Sequence, residues 1–200
     1  MTLAFDGSSI DGPAYREVTD WAGRAPGWVD SAVSAWSTYG LAVFAVLVVA
    51  AWWHARRTSA TAAVAALAVP LVVVVAYALN DALKLLVRED RPCQSLHRAT
   101  LEACPAPGDW SFPSNHAAIA GAAAMALWFV SRRLGTTAAV AACAMAASRV
   151  WVGAHYPHDV VAGLLVGAVI GALLMLVVRR WPQPLARKLS TTRLRPLLGA

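Results

Sequence analysis

The chain has 200 residues, of which 58% are hydrophobic and only 14% charged, with a formal net charge of +6. A mean hydropathy of +0.54 is too apolar for a soluble globular protein and fits a polytopic membrane protein of one domain. The three cysteines, Cys93, Cys104 and Cys143, show no CxxC or Cys/His metal spacing.

Residues 1–28 mix polar and apolar side chains, and no cleavable signal peptide is expected from them. Tyr15, Val18 and Trp21 or Ala22 follow helical spacing until Pro26-Gly27 breaks it. This predicts a short interfacial helix.

Apolar stretches then run over 29–53, 60–87, 117–130, 136–152 and 160–178. The first, second and fifth are long enough to cross about 30 Å of hydrocarbon at about 1.5 Å per residue. The two that begin at Ala117 and Thr136 reach that length only with flanking small residues and Ser148. Five spans are expected, with a kink at Pro70 in the second. Gly163-x3-Gly167-x3-Gly171 on the last forms a small-residue ridge suited to close helix packing, with homodimer contact left open.

Between the second and third spans, the loop 88–113 is long, polar and rich in Pro and Cys, which predicts a functional segment. The basic tail 179–200 is expected on the membrane surface or loose.

On this plan, the 54–59 and 131–135 turns and the tail share one side. They carry ten of the 17 basic residues and none of the 11 acidic ones. The positive-inside rule places that side in the cytoplasm and the N-terminus outside. Tryptophans flank both interfaces, with Trp52, Trp53, Trp128 and Trp181 inside and Trp28, Trp36, Trp110 and Trp151 outside. Cys93 and Cys104 then lie on the oxidising side, where a disulfide between them is expected. Cys143 reads as an apolar span residue.

The ends of four spans converge on that outer face. They bring Lys84, Arg88 and Arg91, then Ser114, Asn115 and His116, then Ser148 and Arg149, then His155 and Asp159. Ionisable groups at a membrane edge point to function. Lys84, Arg91 and Arg149 form a cationic cluster expected to lack local acids, and so to need an anion. Guanidinium forks, a serine hydroxyl and the free amides of a helix start at Ser114-Asn115-His116 describe a phosphate site.

Two histidines and an aspartate could hold a metal or serve phosphoryl transfer. In transfer, one histidine attacks phosphorus and the other protonates the leaving oxygen. Pro157 suits the first turn of a helix, from which Asp159 can reach back to His155 and fix its tautomer. His158, adjacent to Asp159, is expected to point elsewhere as an interfacial bystander. Arg88 lies in the charged string REDR, with Glu89 and Asp90 as its expected partners. Asn80 and Asp81 either bond other helices or line the lipid's path. His54 is expected at the inner interface, and His97 in the outer loop has no assigned role.

Lys84-x6-Arg91-Pro92, Pro113-Ser114-Asn115-His116 and Ser148-Arg149-x5-His155-x3-Asp159 resemble the three signature motifs of the type-2 phosphatidic-acid phosphatase superfamily, in order and at family spacing. The stretches SFPSNH and SRVWVGAHYPHDV look most like the bacterial undecaprenyl-diphosphate phosphatases of the bacitracin-resistance type. The resemblance implies an all-α membrane bundle with its active site at the outer face. His155 would be the nucleophile, passing through a phosphohistidine. Asp159 would orient it, and His116 would protonate the leaving group and then activate water. Lys84, Arg91, Ser114 and Arg149 would bind the phosphoryl group, with the amides of Asn115 and His116 assisting. The one departure is Asn115, where many members have glycine; Asn tolerates unusual backbone better than most residues.

No metal or other cofactor and no nucleic acid are implied. The implied substrate is a polyprenyl diphosphate, converted to the monophosphate for reuse as a cell-wall glycan carrier. Phosphatidate, phosphatidylglycerophosphate or transfer to another acceptor are the alternatives, and a transporter with an anion-binding cavity is the rival of a different class.

Overall fold

The computed structural model describes residues 4–199, so residues 1–3 of the N-terminal segment and Ala200 of the tail lie outside the described residues. It is all-helical apart from an isolated bridge between Phe5 and Glu89. The helices are α1 (Ser8–Ala22), α2 (Gly27–Tyr39), α3 (Leu41–Ala55), α4 (Ala60–Val87), α5 (Pro92–Ser95), α6 (Asn115–Val130), α7 (Arg132–Trp151), α8 (Pro157–Arg180) and α9 (Pro182–Ser190), followed by a 3-10 turn at Arg195–Leu198.

Among the described residues, only α4 and α8 are by themselves long and apolar enough to cross a membrane, and α2 with α3 makes a third span if the bent pair counts as one. The predicted first span is therefore not straight: it turns by 52° at Gly40. A Cβ there would collide with Trp36 and with Met145 Cε at 2.8 Å, so the bend needs a residue without a side chain. Helix α6 is apolar but short at 16 residues. Helix α4 begins at Ser59, whose hydroxyl accepts from the Ala62 N–H at 3.1 Å, and ends at Arg88, which takes a left-handed conformation. It remains one helix through Pro70, where a kink was expected.

The bundle is built around α6 against α8. The ridge Gly163, Gly167 and Gly171 lies on the α6 backbone at Ser114, Ala118 and Ala122, and Gly121 of α6 answers it against Leu164. This close approach spends the ridge inside the chain. Below it, Phe44, Val69, Ala123, Leu127, Met145 and Met175 join α3, α4, α6, α7 and α8 in one buried core.

The tail is neither loose nor detached. Ala186 and Leu198 pack on Ala63 and Val64 at the start of α4, and Trp52 Nε1 donates to the Leu197 carbonyl at 2.9 Å. That leaves the opposite end of the bundle, where α4 and α7 finish and α6 and α8 begin, to the polar residues. Helix α1 is fastened there by Tyr15, whose hydroxyl donates to the Gly153 carbonyl at 3.0 Å.

Candidate active site

His155 sits in the turn between α7 and α8. Gly153, at φ +83°, reverses the chain, and the N–H groups of Ala154 and His155 return to the Arg149 carbonyl at 3.0 and 3.2 Å. Pro157 then opens α8 and sets Asp159 in its first turn, where Oδ2 accepts from the Tyr156 N–H at 2.8 Å. Both side chains are buried, His155 at 2% and Asp159 at 0% exposure.

The hydrogen-bond pattern fixes the His155 tautomer. Nε2 faces Arg91 Nη1 at 3.3 Å, and a guanidinium only donates, so Nε2 carries the lone pair. The proton is then on Nδ1, which lies 3.4 Å from Asp159 Oδ2 and 3.3 Å from Ser111 Oγ. Ser111 in turn donates to Asp159 Oδ2 at 2.5 Å. Burial first, then the neighbouring Arg91, Lys84 and Arg149, push His155 well below the ordinary histidine range. The ring is therefore neutral and its Nε2 is available at neutral pH.

Arg91 is the N-cap of the short helix α5, and Lys84 lies in the last turn of α4, donating to the Trp110 carbonyl at 2.5 Å. Ser114 is the N-cap of α6; its buried hydroxyl has no hydrogen-bond partner among the described residues. His116 follows in the same first turn; burial first, then the charge of Arg149, push its ring down to about 4, with Glu102 opposing. Cys93 and Cys104 are joined in a disulfide with their Cα atoms 6.0 Å apart. Cys143 is free and exposed on α7.

Three expectations need correction. The cationic cluster does not lack acids: Arg91 Nη2 pairs with Asp109 Oδ1 at 2.9 Å, and Arg149 Nη1 with Glu102 Oε2 at 2.9 Å. Both acids come from the 88–113 loop, which folds back over the cations. Asn115 uses no unusual backbone, being helical. Its side chain instead accepts from Asn80 Nδ2 at 2.7 Å and donates to Asp81 Oδ1 at 3.0 Å, tying α6 to α4. His158 is no bystander, since both ring nitrogens are held by carboxylates.

Ser111, Glu102 and Asp109 were not legible as site residues. The only hint for Ser111 is its place two residues before Pro113 in WSFPSNH. Glu102 and Asp109 reach the site only through the path of the loop.

The family model described as the PAP2 superfamily matches residues 65–183. The undecaprenyl-diphosphatase BcrC of Bacillus subtilis is 30% identical over 145 residues, 72% of each chain. The decaprenylphosphoryl-5-phosphoribose phosphatase of Mycobacterium tuberculosis is 39% identical over 100 residues, 50% of this chain and 53% of that protein. Among solved structures, Aquifex aeolicus LpxE matches with a TM-score of 0.65 at 20% identity, over 88% of this chain and 99% of that one, which shows a shared fold.

Proposed function

The chain belongs to the PAP2 superfamily, and on that premise we propose that it is an integral-membrane lipid phosphatase acting through a phosphohistidine on His155. The substrate we favour is a polyprenyl diphosphate, released as the monophosphate and inorganic phosphate for reuse as a glycan carrier. The observation that carries this is the His155 ring itself: Nδ1 held by Asp159 and Ser111, Nε2 turned to Arg91.

In the first step the Nε2 lone pair attacks the terminal phosphorus. The N–P bond forms as the bond to the lipid-side oxygen breaks, and His116, protonated once the anionic substrate offsets the surrounding cations, gives that oxygen its proton. Asp159 stabilises the positive ring. In the second step a water gives a proton to His116 and attacks phosphorus, and the N–P bond breaks. Lys84, Arg91 and Arg149 bear the equatorial charge, the largest share of such catalysis. Asp109 and Glu102 must yield their arginines to the phosphate, a like-for-like exchange of anions. The hydroxyl of Ser114 supplies a further donor to the phosphoryl group.

The membrane arrangement we propose has five crossings, counting α2–α3, α4, α6, α7 and α8, with the active site and N-terminus outside and the tail in the cytoplasm. The charge bias along the sequence supports it. The prenyl tail stays in lipid while the phosphate meets the cations at headgroup level.

A second substrate, a polyprenyl-linked phosphosugar, is favoured by the 39% identity to the mycobacterial phosphoribose phosphatase over the shared 100 residues. Phosphate release from polyprenyl diphosphate, phosphosugar lipid, phosphatidate and phosphatidylglycerophosphate in one detergent decides between them. Near-normal turnover by His155→Ala would refute the mechanism; highest kcat/KM on another lipid would replace the substrate.

A further inference from the structure

His158 is used by none of the steps above, yet its ring is enclosed by charge. Nδ1 lies 2.7 Å from Asp11 Oδ1 of α1. Nε2 lies 2.9 Å from Glu89 Oε1 and 3.5 Å from Asp159 Oδ1. The His158 backbone N–H donates to the other Asp11 oxygen at 2.7 Å. The ring stacks on Tyr156 at 5.4 Å and on Phe112 at 5.9 Å, with its nitrogens turned to those carboxylates.

An ionised carboxylate only accepts hydrogen bonds. With Asp11 and Glu89 both ionised, a ring with a carboxylate oxygen within 3 Å of each nitrogen donates from both and is an imidazolium. Its charge has a specific use. Glu89 and Asp159 are 1% and 0% exposed and share the same face of the ring. Two neighbouring carboxyl groups without water cannot both stay ionised unless a cation lies between them. Asp159 Oδ1 has no other polar partner among the described residues.

We propose that His158 is a positioning residue of the reaction: as an imidazolium clamped by Asp11 and Glu89, it keeps Asp159 ionised, so that Asp159 can hold the Nδ1 proton of His155 and stabilise the phosphorylated ring. This rests on His155 being the nucleophile. The clamp also locks α1 over the site, since Asp11 is the only contact of the set supplied from α1.

The test compares wild type, His158→Gln, Glu89→Gln and the double variant by phosphate release from polyprenyl diphosphate across acid to alkaline pH. In His158→Gln, one carboxyl of the Glu89–Asp159 pair retains a proton. We expect kcat at neutral pH to fall about tenfold or more with KM little changed, and the acid limb of the kcat profile to move toward alkaline pH. Removing the second charge with Glu89→Gln in the same chain should return the limb toward its wild-type place and recover much of the kcat. A merely structural histidine gives no such rescue. An unmoved acid limb in the single variant, or a double variant no better than the single, overturns the proposal.

A direct readout is NMR of isotope-labelled histidine in wild-type protein in detergent, where His158 should be doubly protonated at neutral pH. This arm stands even if His158→Gln does not fold. A neutral His158 ring, or stoichiometric zinc held by Glu89, His158 and Asp159, whose ligand atoms lie within 4.8 Å of one another, equally overturns it. Undiminished turnover by His155→Ala would instead sink the reading of the nucleophile and leave the protonation of His158 to be judged by NMR.

Discussion

Arg149 is closed on Glu102: its Nη1 lies 2.9 and 3.0 Å from the two carboxylate oxygens, and the same nitrogen also donates to Ser37 Oγ. Glu102 stands two residues before Cys104, in the loop that the Cys93–Cys104 disulfide clips. In the proposed mechanism that carboxylate competes with the phosphoryl group for the same arginine. Glu102→Gln should therefore tighten competitive inhibition by inorganic phosphate by about three- to tenfold, equivalent to roughly 1 kcal/mol of relieved competition. The same variant should unfold at lower temperature without phosphate, because Arg149 is left buried without its counter-ion. Weaker phosphate inhibition would show that Glu102 orients Arg149 for the substrate rather than competing with it.

Ser111 gives a second measurement. Its hydroxyl donates to Asp159 Oδ2 at 2.5 Å and faces His155 Nδ1 at 3.3 Å, and all three residues are buried. Ser111→Ala leaves His155 and the cations in place but loosens the hold on the ring. The expected result is a fall of about tenfold in kcat with KM within about twofold, the pattern of a group that acts in the transition state. Steady-state kinetics on the purified protein checks it; an equal change confined to KM would contradict it.

The buried His155 makes stability depend on pH in a stated direction. Its folded pKa lies below the unfolded value, so below the ordinary histidine range the unfolded chain binds a proton that the folded one refuses. Stability should fall with decreasing pH from about 6.5 downward, until the folded pKa is reached, by at most about 1.4 kcal/mol per pH unit from this group. His155→Gln should flatten that part of the profile while leaving stability above it little changed. Thermal unfolding in detergent at a series of pH values reads this out.

The glycine ridge predicts a contrast between two alanine substitutions. A Cβ on Gly167 would run into the Ala118 backbone, including its carbonyl carbon at 2.8 Å, whereas a Cβ on Gly27 meets nothing within 4 Å. Gly167→Ala must push α8 off α6 and should destabilise the fold by about 1–3 kcal/mol, with loss of activity because Ser114 and Asp159 lie on the two displaced helices. Gly27→Ala should leave both stability and turnover within about 0.5 kcal/mol of wild type. Similar losses in both variants would deny the ridge its role.

Much of the site was legible before any coordinates because its residues sit at helix ends whose spacing along the chain is fixed. Asp159 returns to His155 because Pro157 starts a helix between them. Ser114 and His116 share the first turn of α6 for the same reason. Such relationships are local, and helical geometry carries them from sequence into space. The number of crossings was less legible. The stretch 29–53 reads as one span, with its polar residues confined to the part before Gly40, and only packing of Gly40 against Trp36 and Met145 shows that it bends.

What the sequence by itself determined is the class of chain, an apolar helical bundle, and the ordered set Lys84, Arg91, Ser114, His116, Arg149, His155 and Asp159 at its polar end. What only the tertiary structure decided is how those charges are balanced. Asp109 and Glu102 meet Arg91 and Arg149 because a disulfide-clipped loop folds over the site. Asp11 meets His158 across 147 positions of sequence. Contacts that distant leave no period or spacing in a single chain. They follow from which loop and which helix can reach a buried cation or anion, because a charge taken out of solvent needs a partner of opposite sign beside it.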